Sequence, residues 1–163
     1  MTLEIRPAGA EDAEGIARAF LDSAEHHVPF DRDRFAIPAF DAVASRYRTG
    51  AQHPAGVTSV TLIAELDGET VGFVDARLEQ SPDPMLRPIT YCYIAELAVC
   101  APFRNRGVGR ELMAAAEDWG RRHGAGFASL DYHVSNERAA AFYLQTMGYR
   151  VGHVIALKRL HTR

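Results

Sequence analysis

The sequence predicts one domain of the α/β (α+β) class over residues 1–163, with a mixed and mostly antiparallel sheet. Three observations lead to this prediction. The length of 163 residues suits one domain. No repeat or long linker divides the chain, and runs with the two-residue period of strands alternate with runs that have the period of helices. The predicted order is strand, two helices, three strands, helix, strand, helix and one or two strands, so we expect about six to seven strands and about four helices.

The first half of the chain begins with a predicted strand at residues 3–8, which alternates and stops at a proline. Apolar residues at helical spacing then predict helices over residues 10–27 and 40–50. Runs rich in β-branched residues lie on both sides of Asp67-Gly68, a dipeptide that favours a hairpin turn. Residues 89–99 are apolar on both faces, which is typical of a central strand covered on both sides.

The second half of the chain alternates helices and strands. A glycine-containing turn opens a predicted helix over residues 108–123, and Gly124 suits the end of that helix. A predicted strand at residues 127–134 is followed by a predicted helix at residues 136–148, with Asn136 as a suitable N-cap. The apolar run at residues 149–160 predicts the last one or two strands of the sheet.

Charge is distributed unevenly along the chain. Residues 1–50 carry six basic and nine acidic side chains, residues 51–100 carry two and seven, and residues 101–163 carry ten and five, so the three segments have net charges of −3, −5 and +5. This asymmetry fits a protein that binds a polyanion on one side and a cationic partner on the other, with functionless surface charge as the alternative. The net charge of −3 and the lack of a lysine-rich patch argue against a nucleic-acid partner.

The sequence has neither a signal peptide nor an apolar run near the roughly 20 residues that span a bilayer, so we expect a cytoplasmic protein with no membrane partner. Cys92 and Cys100 lie in one apolar run and are too far apart to form a disulfide if that run is a strand. Their pattern agrees with a reducing compartment. His26, His27 and His53 lack the spacing of a metal site, so no metal is expected.

The stretch APFRNRGVGRELM at residues 101–113 combines three arginines and two glycines where a strand meets a helix. A helix N-terminus presents unpaired backbone N–H groups and the positive end of the helix dipole, which together favour phosphate. Gly107 and Gly109 let a pyrophosphate approach the backbone, and Arg104, Arg106 and Arg110 add positive charge. The stretch does not match a P-loop, and GVGREL lacks the third glycine of a dinucleotide fingerprint, which weakens both nucleotide interpretations.

The same residues carry a resemblance to a known family. RNRGVG at residues 104–109 matches R/Q-x-x-G-x-G/A and resembles the acyl-CoA pyrophosphate loop of the GNAT superfamily of N-acetyltransferases. Residues 94–125 resemble the central strand, loop and helix of that family, and residues 130–150 resemble its following strand and helix, with the pattern N-x(6)-Y-x(4)-G-[YF]. The first 60 residues, where the family builds its acceptor site, match only in general arrangement. The resemblance implies a GNAT-like sheet with a splayed central strand pair.

The resemblance also implies how acetyl-CoA is held as cosubstrate. The strand before the loop would bind the pantetheine arm through its backbone, the loop amides would bind the pyrophosphate, Asn136 would contact the pantetheine arm, and Tyr143 would lie near the sulfur. The residues implied in binding acetyl-CoA are Leu97, Ala98, Val99, Arg104, Asn105, Arg106, Gly107, Val108, Gly109, Arg110, Asn136 and Tyr143.

Two side chains are candidates for proton transfer. Glu96 lies among apolar residues of the central strand, where lost solvation raises the pKa of a carboxylate toward that of a general base, and the family often uses a glutamate on this strand. Tyr143 is the candidate general acid that protonates the departing thiolate. The alternatives are a structural ion pair or hydrogen bond at Glu96, a core role for Tyr143, and His133 or a water chain as the base.

Two further residues of the hairpin are candidates for acceptor binding. Asp75 and Arg77 alternate with the apolar side of their strand and could reach an acceptor, with a solvated strand face as the favoured alternative.

The resulting hypothesis is an acetyltransferase that moves an acetyl group from acetyl-CoA to a primary amine by direct attack in a ternary complex. A non-catalytic acyl-CoA-binding or sensing module is the alternative, and a nucleotide-binding domain is a third hypothesis. The acidic first hundred residues favour a cationic acceptor, while the choice between a small-molecule amine and a peptide or protein amine stays open, as does the acyl-chain preference. A homodimer is compatible with the resemblance, although nothing in the sequence requires it.

Overall fold

One five-stranded sheet organises the computed structural model, which describes residues 2–160. The strands are β1 (Leu3–Pro7), β2 (Ser59–Leu66), β3 (Glu69–Gln80), β4 (Thr90–Val99) and β5 (Phe127–Leu130). They lie in the order β1-β2-β3-β4-β5; the first three neighbouring pairs are antiparallel, and β4 and β5 are parallel. The predicted mixed and mostly antiparallel sheet is therefore confirmed.

The four predicted helices are also confirmed. They are α1 (Ala13–His27), α2 (Phe40–Arg48), α3 (Val108–Arg122) and α4 (Glu137–Ala140), and α4 continues as a π-helix over Ala141–Thr146. Short 3-10 turns occur at Ala10–Asp12, Val28–Phe30 and Ala101–Phe103. Asp67 and Gly68 have φ values of 50° and 83°, the left-handed conformation of a tight hairpin turn, so the predicted hairpin connects β2 and β3.

The described residues contain fewer strands than the six to seven that the sequence predicts. β5 ends at Leu130 rather than at residue 134, and residues 149–160 form no strand. An apolar run becomes a strand only where a neighbouring strand supplies hydrogen-bond partners, and no strand pairs with residues 149–160. The apolar content of that run therefore led to the wrong count, and five of its apolar side chains are exposed: Val151, Val154, Ile155, Leu157 and Leu160.

Different helices cover the two faces of the sheet. On one face, the ring of Phe73 from β3 lies 6.4 Å from the Phe20 ring of α1 and 5.3 Å from the Tyr47 ring of α2, measured between centroids. On the other face, the thiol of Cys92 from β4 donates to the carbonyl of Ala116 in α3 at 3.5 Å. We call these the α1/α2 face and the α3 face. Because side chains alternate along a strand, each residue of β3 and β4 belongs to one of them.

The chain divides into two compact units, the first ending at Asp131 and the second beginning at Tyr132. The first unit contains the sheet and α1 to α3, and the second contains α4 with its π-helix. The single domain over residues 1–163 stays a prediction, and residues 1 and 161–163 of that prediction lie outside the described residues. Among residues 2–160, every helix is too short or too polar to reach across a bilayer.

Candidate functional site

A bulge in β4 coincides with the end of its pairing to β5. Asp75 of β3 pairs with Glu96, whereas the next residue of β3 pairs with Ile94, so Ala95 is an extra residue on β4. The parallel pairing of β4 with β5 ends at Ile94 as well. After the bulge, β3 is the only sheet neighbour of β4 among residues 2–160, which is the opening that a splayed central strand pair requires.

The bulge decides which face of the sheet Glu96 occupies. Without an extra residue, strict alternation would place Glu96 on the α3 face together with Cys92. With the extra residue, Glu96 lies on the α1/α2 face, directly opposite Asp75 on the neighbouring strand. Ala98 shares this face and packs into the core formed by α1 and α2.

The opened half of β4 directs backbone groups away from β3. The N–H of Cys100 donates to a carbonyl of β3 at 2.9 Å. Since successive residues of a strand point their backbone groups to opposite sides, Ala98 also faces β3, while Leu97 and Val99 face away from it. Arg104 uses one of these groups, because its Nε donates to the Val99 carbonyl at 2.9 Å.

The turn between β4 and α3 ends in a helix N-terminus with unsatisfied donors. Gly107 is the N-cap of α3 and has a φ of 85°, which glycine adopts without the steric cost of a Cβ atom. Asn105 also has a positive φ, 61°. No side chain caps this terminus, and the backbone N–H groups of Val108, Gly109 and Arg110 have no acceptor within residues 2–160. These donors fit a phosphate or diphosphate group.

The three arginines of this turn are held differently. Arg104 ties the turn to the end of β4 through the Val99 carbonyl. The Arg106 guanidinium lies 5.8 Å from the centroid of a neighbouring phenylalanine ring, and the Arg110 guanidinium lies 3.6 Å from the carboxylate of the following glutamate. Arg106 and Arg110 are exposed, so both can turn toward an anion at the helix N-terminus.

A hydrogen-bonded network surrounds Asp75 on the α1/α2 face. Asp75 is 2% exposed, and its two carboxylate oxygens accept from the Tyr47 hydroxyl at 2.7 Å and from the Thr61 hydroxyl at 2.6 Å. Because Thr61 donates its proton to Asp75, the Thr61 oxygen accepts from Nε2 of Gln52 at 3.0 Å, and Nε2 of His53 lies 3.0 Å from the same oxygen. Burial lowers the pKa of His53, which favours the neutral ring.

Glu96 lies beside Asp75 but has different partners. Within the described part of the chain, no group donates a hydrogen bond to its carboxylate or forms an ion pair with it. Burial and the neighbouring charge of Asp75 raise the pKa of Glu96 to about 7, and Arg46 lowers it in part. A carboxyl group with this pKa can accept a proton and release it again near neutral pH.

The remaining predicted site residues lie in the second unit. Asn136 is the N-cap of α4, and its side-chain oxygen accepts from the N–H of Ala139 at 3.1 Å, which confirms the predicted cap. Tyr143 lies in the π-helix, a conformation that often occurs at functional sites. His133 accepts at Nδ1 from the N–H of Ser135 at 3.2 Å. The roles of these residues in binding and catalysis stay predictions.

The network around Asp75 is absent from the predictions made from the sequence. The favoured interpretation of Asp75 as part of a solvated strand face is wrong, since the side chain is buried beneath α2. The donors come from α2 and β2, and Tyr47 is 28 positions away from Asp75, so no local pattern connects them. One signal was present: Asp75 is the single charged residue in the otherwise apolar stretch at residues 71–76.

Comparison with protein families and individual proteins gives a consistent result. The model described as the acetyltransferase (GNAT) family matches residues 24–149. The uncharacterized N-acetyltransferase YhfO of Bacillus subtilis is 36% identical over 148 residues, which are 90% of this chain and 89% of that protein. The aminoalkylphosphonate N-acetyltransferase of Salmonella typhimurium is 26% identical over 160 residues, 96% of this chain and 91% of that protein.

A third relative matches over a shorter stretch. The uncharacterized N-acetyltransferase YhdJ of Bacillus subtilis is 38% identical over 61 residues, which are 37% of this chain. The match spans less than half of that protein, 43% of its length.

Solved structures share the fold. A mutant of the BH1408 protein from Bacillus halodurans superimposes with a TM-score of 0.84 at 28% identity, covering 96% of this chain and 99% of that one. The structure of AAC(6')-Iy in complex with a bisubstrate analogue, CoA-S-monomethyl-acetylneamine, has a TM-score of 0.70 at 20% identity and covers 99% of this chain and 100% of that one. At that level of identity, the second likeness concerns the fold alone.

Proposed function

This chain belongs to the acetyltransferase (GNAT) family and is an acetyltransferase, and we propose that it transfers an acetyl group from acetyl-CoA to a primary amine by direct attack in a ternary complex. One observation carries the proposal. Glu96, a carboxyl group whose pKa is about 7, lies on the opened half of β4, a few residues before the turn whose N–H groups fit a diphosphate. A proton acceptor and an anion site therefore flank one short stretch of strand.

The binding part of the proposal rests on the backbone of β4 and the turn. Leu97 and Val99 would bind the pantetheine arm, and the amides of residues 104–110, with the exposed Arg106 and Arg110, would bind the diphosphate. Acetyl-CoA supplies an acyl group that its thioester has already activated, so the protein has chiefly to align the amine and move protons. Asn136 is proposed as a further contact to the pantetheine arm, on the family pattern.

The proton-transfer part assigns one residue to each end of the reaction. Glu96 would take a proton from the acceptor ammonium, directly or through a water, so that the nitrogen lone pair becomes available. Tyr143 would donate its phenolic proton to the sulfur that leaves, an assignment that rests on the family pattern. His133 is the alternative base.

The acceptor is proposed to be a cationic amine, on a small molecule or a peptide. The pair of carboxyl groups at Asp75 and Glu96 and the net charge of −5 over residues 51–100 favour a positively charged partner. The Salmonella relative carries the name of an enzyme that acts on aminoalkylphosphonates, which supports an amine acceptor but not a net positive charge, because a phosphonate is anionic. A homodimer and a cytoplasmic location are kept as proposals, the latter because Cys92 and Cys100 are free thiols.

The experiment is acetyl-CoA turnover followed by thiol release, with a panel of polyamines, aminoglycosides, aminoalkylphosphonates, amino acids and lysine peptides. With an amine that is acetylated, Glu96→Gln should lower kcat by about 10² to 10⁴, and Tyr143→Phe should lower it by about 10², because each removes a proton-transfer group. Calorimetric binding of CoA should stay close to that of the unaltered protein in both variants.

Matched controls are Glu69→Gln, at the exposed start of β3, and Tyr149→Phe, whose ring lies 6.1 Å from that of Tyr143. Both should keep kcat. Full activity of Glu96→Gln would remove Glu96 as the base. Binding of CoA without transfer to any amine would instead support the acyl-CoA-binding module.

A further inference from the structure

We propose that Asp75 is a positioning residue for the reaction: it holds a buried carboxylate opposite Glu96, and this makes Glu96 the member of the pair that takes the proton of the acceptor amine. The inference rests on the proposed function of Glu96 as the base. It extends that function to a residue on a different strand, which is buried and does not itself need to touch the acceptor.

The first step is the position of the two carboxyl groups. Asp75 and Glu96 are direct partners in the register of β3 and β4, and both point to the α1/α2 face. Side chains of directly opposite residues in an antiparallel pair have their Cβ atoms about 4.5 to 5.5 Å apart. At that separation, two ionised carboxylates in a partly buried site repel each other, so the pair favours holding one proton.

The second step is the choice of the group that stays ionised. Both oxygens of Asp75 accept short hydrogen bonds, from Tyr47 and from Thr61, and Nε2 of Gln52 donates to the Thr61 oxygen. Burial raises the pKa of Asp75, and these two hydrogen bonds act against burial. Hydrogen bonds to a carboxylate stabilise its charged form. A proton on Asp75 would break this arrangement, whereas a proton on Glu96 breaks no bond within the described residues.

The third step concerns the charges around the pair. From α2, the Arg46 guanidinium lowers the pKa of Glu96 and the Tyr47 hydroxyl donates to Asp75. The loop after α2 contributes the neutral His53, and Arg77 of β3 is bound to Glu79 at 2.7 Å. No described cation forms an ion pair with Glu96, so the repulsion from Asp75 is not cancelled at the site.

The resulting proton movement is balanced. An N–H bond of the acceptor ammonium breaks and its proton forms an O–H bond with the ionised Glu96, so the pair then holds one proton and one negative charge. The freed lone pair forms the new C–N bond as the C–S bond breaks, and the sulfur leaves with the electron pair of that bond. The nitrogen then releases its second proton to become the neutral amide, and the sulfur takes one proton from the Tyr143 phenol, which regains a proton from water, so one N–H proton ends on Glu96 and the other is balanced by the new S–H bond. Asp75 keeps its charge throughout and thereby strengthens the tendency of Glu96 to accept the proton.

The test measures the titration of Glu96 directly and needs no acceptor. In protein labelled with ¹³C at the side-chain carboxyl groups of Asp and Glu, NMR should show a Glu resonance with a midpoint near pH 7, and this resonance should be missing in Glu96→Gln. In Asp75→Asn the midpoint of the Glu96 resonance should fall by about one pH unit. It should stay above that of an ordinary glutamate, because burial, the larger cause of the raised pKa, remains. The acid limb of kcat/KM, with any acetylated amine, should move by the same amount.

The matched control is Asp12→Asn, which replaces another buried and hydrogen-bonded aspartate, 5% exposed, and should leave the Glu96 midpoint in place. If Asp75→Asn does not fold, Tyr47→Phe retains the ring and removes one donor to Asp75. That change should raise the midpoint of Asp75 and lower the midpoint of Glu96.

The inference is overturned if the Glu96 midpoint does not change in Asp75→Asn. It is equally overturned if, in Tyr47→Phe, the Asp75 resonance shifts while the Glu96 midpoint does not. Either result leaves the proposed function of Glu96 as the base intact. The opposite failure is equally visible. If the NMR titration shows that Asp75 and Glu96 are coupled but Glu96→Gln keeps full activity, Glu96 is not the base.

Discussion

Asp12 and Asp75 are both buried aspartates, yet among the described residues only Asp12 is hydrogen-bonded to an arginine. Asp12 accepts two hydrogen bonds from the Arg6 guanidinium, at 2.8 and 2.9 Å, and one from the N–H of Gly9 at 2.8 Å. Burial raises the pKa of Asp12, but these donors outweigh burial and the net pKa is lowered. Asp75 accepts only from two neutral hydroxyl groups, and burial raises its pKa.

The comparison teaches how the same residue type serves two purposes. Where a guanidinium binds it, the aspartate links β1 to the start of α1, and the same guanidinium also binds Glu65 at 2.6 Å. Where only hydroxyl groups bind it, the charge remains and acts on the nearest titratable neighbour, Glu96. Such an arrangement costs stability, which is typical of groups kept for chemistry.

The largest predicted effect is a difference in the free energy of unfolding between the asparagine variants of the two aspartates. Asp12→Asn should lower the free energy of unfolding by about 2 kcal/mol, because Arg6 loses one of its two carboxylate partners; Glu65, at 2.6 Å, and the partial exposure of Arg6 keep this below the full cost. Asp75→Asn should change it by less than about 1 kcal/mol, because removing a buried charge offsets one weakened hydrogen bond. Urea unfolding of both variants at pH 7 measures the difference, and equal losses would contradict the comparison.

The second prediction uses pH to isolate Glu96. Between its unfolded pKa near 4.5 and its folded pKa of about 7, the folded protein holds a proton on Glu96 that the unfolded chain has released. The contribution of Glu96 to stability therefore falls as the pH rises through this window. The free energy of unfolding of Glu96→Gln, measured relative to that of the unaltered protein, should therefore increase by an amount on the order of 2 kcal/mol from pH 4.5 to pH 7.5.

Urea unfolding at several pH values measures this difference, and subtracting the two curves cancels the titration of the histidines. Asp12 behaves in the opposite sense, since its lowered pKa gives stability that is lost only as the pH falls below about 4. A constant difference between the two proteins across the window would show that Glu96 titrates normally.

The smallest predicted effect concerns two glycines at the ends of α3, one at the proposed binding turn and one away from it. Gly107 has a φ of 85° and Gly124 a φ of 86°, and an added Cβ atom meets no other atom within 4 Å at either position. Alanine should therefore cost a similar 1 kcal/mol or so of backbone strain at both ends. Only Gly107→Ala should weaken CoA binding, by about 10-fold, because its Cβ would lie at the donors of the turn.

Calorimetric titration with CoA, beside urea unfolding, distinguishes strain from binding. If both variants lost CoA affinity equally, general destabilisation would explain the result. If neither did, the N-terminus of α3 would not be the diphosphate site.

Much of the fold was predictable because its signals are local. The hairpin at Asp67-Gly68, the glycine turn before α3 and the N-cap at Asn136 each depend on a few adjacent residues, and the structure confirms all three. The last strand was not predictable in this way. A strand requires a partner, and residues 149–160 have the apolar content without the pairing.

The sequence by itself determined the order of the elements as far as α4, the position of the glycine turn before α3 and the presence of Glu96 in the central strand, because periodicity, turn residues and composition act over short distances. Only the tertiary structure decided that Ala95 forms a bulge, and this one extra residue moves Glu96 from the α3 face to the side of Asp75. It also brought Tyr47 and Thr61 to Asp75 from other elements. Register and hydrogen-bond partners depend on residues far apart in the chain, and those contacts give a common glutamate its unusual pKa.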